Sequence, residues 1–224
     1  MCDGVYGNYK YSRYNGMKNK TNVVFILDKS GSMDSVVGAT IEGFNSYVSK
    51  LKEDKGSDYR FSLTLFDSSA ERKYRSALLS EVAKLTRDNY RPDGSTALYD
   101  AACDTLTELG GEGCDKTLVA VMTDGEENAS RRYTEVQFRD LVRALKGTGT
   151  VSFVFLGANQ DAWGNASRWG FERQNVAFYN ATPRGIGQVF TMMASNTASL
   201  SAQAENSTQK FFSQADQDEL KNTQ

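Results

Sequence analysis

VVFILDKSGS, at residues 23–32, is the stretch of sequence that decides how this chain is expected to fold. Its first five residues are apolar and rich in β-branched side chains, which is typical of a central strand buried on both faces. A polar turn follows at once, and Gly31 lets the backbone turn tightly there. A helical pattern then begins near residue 36. A strand, a polar turn and a helix in this order predict an α/β domain with a site at the end of the strand.

Apolar runs and helical patterns alternate along the rest of the chain, as expected for a mostly parallel sheet flanked by helices. Further strands are predicted at 60–65, 71–76, 118–122, 151–156 and 175–179. The run at 71–76 follows its predecessor so closely that we expect an antiparallel hairpin. Helices are predicted at about 36–53, 97–109, 161–169 and 183–198, and one behind the capping-box pair Thr134 and Gln137. We therefore predict a doubly wound, mostly parallel six-stranded sheet with one antiparallel edge strand and helices on both faces.

The composition excludes several kinds of chemistry. The 224 residues include no histidine, which excludes Ser-His-Asp and Cys-His catalysis and most zinc sites. The three cysteines have no C-x-x-C spacing and the N-terminus has no signal-peptide pattern, so we expect reduced thiols in a cytoplasmic protein. A formal charge of −2 gives no bulk attraction to nucleic acid or membranes. Any metal would have to be held by oxygen atoms.

Three segments place oxygen-bearing side chains at the expected carboxyl edge of the sheet. Asp28, Ser30 and Ser32 follow the first strand, Thr96 lies in a loop that enters a helix, and Asp124 follows the strand at 118–122. Ligands of open α/β sheets bind at this edge. Two carboxylates and three hydroxyl groups suit Mg²⁺, which is coordinated by oxygen. We predict a Mg²⁺ site, with Mn²⁺ or Ca²⁺ as alternative ions.

These segments resemble the metal-ion-dependent adhesion site of von Willebrand factor A (VWA) domains, whose core motif is Asp-x-Ser-x-Ser followed by Thr and Asp. DKSGS at 28–32, Thr96 in GSTALYDA and Asp124 in MTDGEEN match it by type, order and approximate spacing. FLGANQDAW at 155–163 is similar to the closing segment of stand-alone bacterial VWA proteins. The resemblance implies a complete adhesion site in a stand-alone bacterial or phage VWA protein. It also implies that the hydroxyl groups contact the ion and that the aspartates do so directly or through water.

The two ends of the chain differ in composition from the middle. Residues 1–20 are rich in Tyr, Gly, Asn and Lys without periodicity, and we predict an N-terminal Tyr-rich arm. Residues 205–224 are polar apart from a Phe211-Phe212 pair, and we predict a fraying C-terminal tail. Residues 21–204 would then be the VWA domain with its Rossmann-like sheet.

The resemblance implies a metal-dependent protein–protein interaction module and not an enzyme. In this family one coordination position is left for an acidic side chain of the partner. We therefore expect a protein partner that offers Asp or Glu, with an AAA+ ATPase or an assembly component as candidates, and no membrane. Stand-alone intracellular VWA proteins often work beside such ATPases.

Two alternative functions remain. A Mg²⁺-dependent phosphohydrolase is one, because Asp28 ends a central strand as nucleophilic aspartates do; the serines that follow, in place of a second carboxylate, argue against it. Nucleic-acid binding by the Tyr-rich arm, where tyrosines alternate with Lys10 and Arg13, is the other. The near-neutral domain gives little support to that alternative.

Several residues near the motif are interpreted as structural. Asp34 and Asp100 are predicted to be helix-start charges and not metal ligands. Glu126 and Glu127 are predicted to lie in a solvated loop, with tuning of the site's rim as the alternative. Cys103 is predicted to be a small core residue next to a helical apolar stripe.

Overall fold

The computed structural model describes residues 18–158, 162–203 and 210–221. Within these residues, a six-stranded sheet has the order β3-β2-β1-β4-β5-β6. The strands are β1 (Asn19–Asp28), β2 (Ser57–Phe66), β3 (Ala70–Leu78), β4 (Lys116–Thr123), β5 (Val151–Gly157) and β6 (Val176–Phe178). All neighbouring strands run parallel except β2 and β3, which are antiparallel. The predicted sheet, including its antiparallel edge strand, is confirmed.

The two central strands are buried along almost their whole length. Residues 21–28 of β1 and all of β4 are buried, whereas β3 at the edge is half-buried or exposed. Alternate residues of β1 enter different apolar clusters: Phe25 lies in the cluster on one face of the sheet and Val24 in the cluster on the other. A strand covered on both faces needs no polar alternation, which is why the run at 23–27 is continuously apolar.

Helices cover both faces of the sheet. The described helices are α1 (Val37–Glu53), α2 (Leu98–Thr107), α3 (Glu135–Gly147), α4 (Ala162–Arg168), α5 (Pro183–Ala202) and α6 (Gln214–Lys221). Apolar residues of α1 and α5 share one cluster, and those of α2, α3 and α4 share the other. The predicted capping box is present, because the Thr134 side chain accepts a hydrogen bond from the backbone N–H of Gln137. No described helix is long and apolar enough to cross a membrane.

The C-terminal segment is packed against the domain. The side chains of Phe211, Phe212 and Leu220 are buried in the same cluster as α1 and α5. The backbone N–H of Phe212 donates a hydrogen bond of 2.9 Å to the Gln174 carbonyl oxygen. The predicted fraying tail is therefore wrong for residues 210–221, because a few apolar side chains are enough to dock a segment whose overall composition is polar.

The N-terminal end also departs from the predicted boundary. β1 already begins at Asn19, so the last residues assigned to the arm belong to the sheet. Residues 1–17 of the predicted Tyr-rich arm lie outside the described residues. Cys103 is buried in the core as predicted, and both Cys103 and Cys114 are free thiols.

Candidate metal site

Asp28 is the last residue of β1 and its side chain is fully buried. One carboxylate oxygen accepts a hydrogen bond of 2.6 Å from the Ser30 backbone N–H, and the other accepts one of 2.5 Å from the Thr123 hydroxyl. Burial raises the pKa of Asp28 to about 6, although the hydrogen bonds from Thr123 and Ser30 act to lower it. A buried carboxylate is costly without a nearby positive charge, so Asp28 has the character of a cation ligand.

The hydroxyl groups of the first loop connect β1 to β4. Ser30 Oγ lies 3.2 Å from Ser32 Oγ, and Ser32 Oγ donates a hydrogen bond of 2.6 Å to a carboxylate oxygen of Asp124. Burial also raises the pKa of Asp124. The ends of the two central strands therefore present both carboxylates and two hydroxyl groups to one another.

Thr96 reaches the same place from the loop before α2. A Cβ atom built on Gly125 would lie 3.2 Å from Thr96 Oγ1 and 3.6 Å from Ser32 Oγ. The two hydroxyl groups thus line the same small space, and a side chain at position 125 would crowd it. The structure brings together all five residues proposed from the sequence.

Asn128 fixes the position of Thr96. The Thr96 backbone N–H donates to the Asn128 side-chain oxygen at 2.9 Å, and the Asn128 backbone N–H donates to the Thr96 carbonyl oxygen at 3.0 Å. A further backbone hydrogen bond of 3.0 Å joins the N–H of Gly31 to the carbonyl oxygen of Gly94. The loops that carry the serines, the threonine and Asp124 are therefore linked to one another.

Two buried tyrosines lie against the strand ends. Tyr90 donates a hydrogen bond of 2.6 Å to the carbonyl oxygen of Asp28, and Tyr179 donates one of 3.3 Å to the carbonyl oxygen of Thr123. Burial raises the pKa of both phenols well above the ordinary value, so they remain neutral donors. Sequence analysis did not find Tyr90, which lies in an irregular segment without periodicity.

Asp100 has a structural role, because backbone N–H groups occupy its carboxylate. Its carboxylate accepts hydrogen bonds of 2.9–3.0 Å from the backbone N–H groups of Arg131, Arg132 and Tyr133. Asp34, in the 3₁₀ turn that precedes α1, is exposed. The interpretation of both as helix-start charges agrees with their places in the first turns of their helices.

The carboxylate of Glu127 is bound by the protein and does not simply face solvent. Its carboxylate accepts hydrogen bonds from the backbone N–H groups of Tyr99, Ala129 and Ser130 and from the Ser130 hydroxyl. It therefore anchors the loop that follows Asp124 to the start of α2, so the prediction of a solvated loop is wrong for this residue. Glu126, its neighbour, is exposed.

The donor set suits a hard cation. No group of three or more Asp, Glu, Cys or His side chains able to hold an ion occurs in the described part of the chain. A cation at this edge would therefore depend on hydroxyl oxygens in addition to the two carboxylates. Oxygen ligands are those that hard divalent cations such as Mg²⁺, Mn²⁺ and Ca²⁺ prefer, and the five side chains include no thiolate or imidazole.

Comparisons with known proteins identify the family and the fold. The sequence model of the von Willebrand factor type A domain matches residues 22–224. A comparison with curated proteins gives no match. Among solved structures, the chain is similar to the vWF domain of the type V pili tip protein Mfa5 from Porphyromonas gingivalis (13% identity, TM-score 0.64, covering 84% of this chain and 98% of that one). It is also similar to the PilB minor pilin from Streptococcus sanguinis (12% identity, TM-score 0.61, covering 83% of this chain and 63% of that one).

A third similar structure is proximal thread matrix protein 1 from the mussel byssus with a zinc-occupied MIDAS motif (13% identity, TM-score 0.58, covering 79% of this chain and 48% of that one). This chain therefore spans less than two thirds of both the streptococcal pilin and the mussel protein. At such identities the likeness to solved structures shows the fold. Because the family's sequence model covers nearly the whole chain, the protein belongs to the von Willebrand factor type A domain family.

Proposed function

We propose that this VWA domain binds one divalent cation, Mg²⁺, and uses it to bind a partner protein. The proposed ligands are Asp28, Ser30, Ser32, Thr96 and Asp124. The observation that carries the proposal is the convergence of these side chains at the ends of β1 and β4. The fully buried Asp28 carboxylate there has no Lys or Arg partner among the residues that the structure describes. A cation would stabilise the charged form of that carboxylate.

The outer side of the site supports a role in binding. Ser32 is exposed and Asp124 is half-buried, whereas Asp28, Ser30 and Thr96 are buried. Of the five proposed ligands, Ser32 and Asp124 are therefore the two that solvent reaches. A bound Mg²⁺ supplies a Lewis acid that retains exchangeable water and accepts a carboxylate oxygen. Three of the five proposed ligands are neutral hydroxyl groups, so the ion would remain an effective Lewis acid, and we expect an Asp or Glu side chain of the partner to complete the coordination.

The surroundings of Asp28 favour binding over catalysis. The side chain of Asp28 has no exposed surface, so a phosphate ester is too large to reach it, whereas a single ion beside it needs no such access. A nucleophilic aspartate would need an oxygen free to reach a phosphorus atom. We therefore propose that the protein is not a phosphohydrolase. We also propose a cytoplasmic location, with an AAA+ ATPase or an assembly component as the candidate partner.

Capture of partners by the immobilised full chain, with Mg²⁺ and with EDTA, tests the proposal. Asp28→Ala and Thr96→Ala should abolish capture while the circular dichroism spectrum stays unchanged. Asp34→Ala is the matched control, because Asp34 is an exposed carboxylate in the turn next to the site. It should capture the same partner as the wild type. Equal capture of that partner in EDTA, or by Asp28→Ala, would contradict the proposal.

A further inference from the structure

The turn between β2 and β3 contacts both metal-site loops without contributing a ligand. The Lys29 backbone N–H donates to the carbonyl oxygen of Phe66 at 2.7 Å. On the other side, the Ala97 backbone N–H donates to the carbonyl oxygen of Asp67 at 2.8 Å. The loop that carries Asp28, Ser30 and Ser32 and the loop that carries Thr96 therefore rest on one short turn.

Ser68 adds a second connection to the Thr96 loop. Its hydroxyl oxygen accepts a hydrogen bond of 2.9 Å from the Ser95 backbone N–H. A Cβ atom on Gly94 would lie 2.8 Å from the same oxygen, and Gly94 has a φ of +72°, which favours glycine. The close approach of the two backbones thus requires glycine at position 94.

A side-chain ion pair also links the turn between β2 and β3 to the loop that follows β1. The ammonium group of Lys29, the residue between Asp28 and the first serine, pairs with the carboxylate of Asp67. The two side chains are only 17% and 15% exposed, so solvent screens their attraction less than that of a surface pair. The other carboxylate oxygen of Asp67 accepts hydrogen bonds from the backbone N–H and hydroxyl of Ser69. Burial acts to raise the pKa of Asp67, but these contacts with Lys29 and Ser69 lower it.

We propose that Asp67 is a positioning residue for the metal site, on the premise that the site binds a cation as proposed above. Its carboxylate holds the Lys29 side chain and its carbonyl oxygen holds Ala97, so it fixes the serine loop and the threonine loop relative to each other. The pairing also keeps the positive charge of Lys29 directed to Asp67. Loss of the Asp67 carboxylate would leave the ligands present but less well placed, and would release an ammonium group one residue away from Asp28.

Mn²⁺ binding by the full chain, followed by electron paramagnetic resonance, tests this role. Asp67→Ala should weaken Mn²⁺ affinity by about ten-fold or more, the range typical of residues that orient metal ligands. Asp67→Asn keeps an oxygen for Ser69 but not the ion pair, so its loss should be smaller. Lys29→Met removes the charge of the ion pair and should weaken Mn²⁺ binding as Asp67→Asn does, whereas Lys29→Arg keeps the charge and should retain more of the affinity than Lys29→Met. Glu71→Gln is the matched control, because it breaks the Lys73–Glu71 pair on the same hairpin.

The outcomes separate this role from metal binding itself. Asp67→Asn and Lys29→Met provide the same test if Asp67→Ala does not fold. If the wild type binds Mn²⁺, Asp28→Ala does not, and the Asp67 and Lys29 variants bind within about two-fold of the wild type, the positioning role is overturned and the metal site stands. If the wild type takes up no Mn²⁺, the proposed function is overturned together with this role.

Discussion

The pKa values of Asp28 and Asp100 are shifted in opposite directions. Burial raises the pKa of Asp28 to about 6, because hydrogen bonds from Thr123 and Ser30 do not offset the loss of water. Burial also acts to raise the pKa of Asp100, but three backbone N–H groups and the Arg132 guanidinium outweigh it and lower that pKa. Asp100 is therefore satisfied by the protein alone. Asp28 gains most from a cation that comes from outside.

The role of Asp100 can be tested by its effect on stability. Its pKa is lower in the folded than in the unfolded state, where it is about 3.9. Its stabilising contribution is therefore complete above that value and is lost as the pH falls through the folded-state pKa. We expect Asp100→Asn to lower the free energy of unfolding at neutral pH by about 1–3 kcal/mol, since backbone donors would lose a charged acceptor. Urea unfolding at a series of pH values measures this difference, which should shrink towards pH ~2.

Asp104→Asn is the control for the Asp100 experiment. Asp104 pairs with the exposed Arg132 side chain, so its replacement should cost less. Equal stability of Asp100→Asn and the wild type at neutral pH would show that the carboxylate does not hold residues 131–133.

At the residue scale, the sequence predicted the proposed ligands but not the residues that hold them. The ligands could be found because their types occur in a fixed order next to strand ends. Asn128 and Asp67 could not, because their partners Thr96 and Lys29 lie 32 and 38 residues away and no local pattern joins them. Such contacts depend on how the loops meet after the sheet has formed.

At the scale of elements, the sequence predicted the six strands and five of the described helices. Continuous apolar runs indicated the central strands, which are covered on both faces, and apolar residues at helical spacing indicated α1, α2, α3 and α5. α6 was missed because Leu220 is its one buried apolar residue, and the rest of its sequence is polar. Its docking depends on Phe211 and Phe212, which precede the helix and carry no periodic signal.

The C-terminal docking is testable with one substitution. The rings of Phe211 and Phe212 pack edge to face with centroids 5.0 Å apart, and Phe212 is 1% exposed. We expect Phe212→Ala to lower the free energy of unfolding by about 3–5 kcal/mol, as for other buried phenylalanines. Leu78→Ala is the control, because Leu78 is 45% exposed and should change stability little. Urea unfolding that gave the same stability for Phe212→Ala and the wild type would contradict the docking.

At the scale of the whole molecule, β4 runs from the amino ends of the parallel strands to their carboxyl ends, where the proposed metal site lies. At its start, the buried Lys116 ammonium donates a hydrogen bond of 2.7 Å to the Leu200 carbonyl oxygen near the end of α5. At its far end, Thr123 binds the Asp28 carboxylate and Asp124 follows. β4, which leads directly into the proposed ligand Asp124, is thus held by hydrogen bonds at both of its ends. The fold supplies this frame, and the chemistry of the site's solvent-exposed side selects the partner.

Calorimetric titration of the full chain with Mg²⁺ tests the central claim most directly, because it measures the cation without any partner. We expect saturable binding of one ion per chain, since the proposed ligands form one cluster. Asp28→Ala and Asp124→Ala should remove this binding, and Asp34→Ala should retain it. Absence of Mg²⁺ binding by the folded wild-type protein, or undiminished binding by Asp28→Ala, would contradict the account.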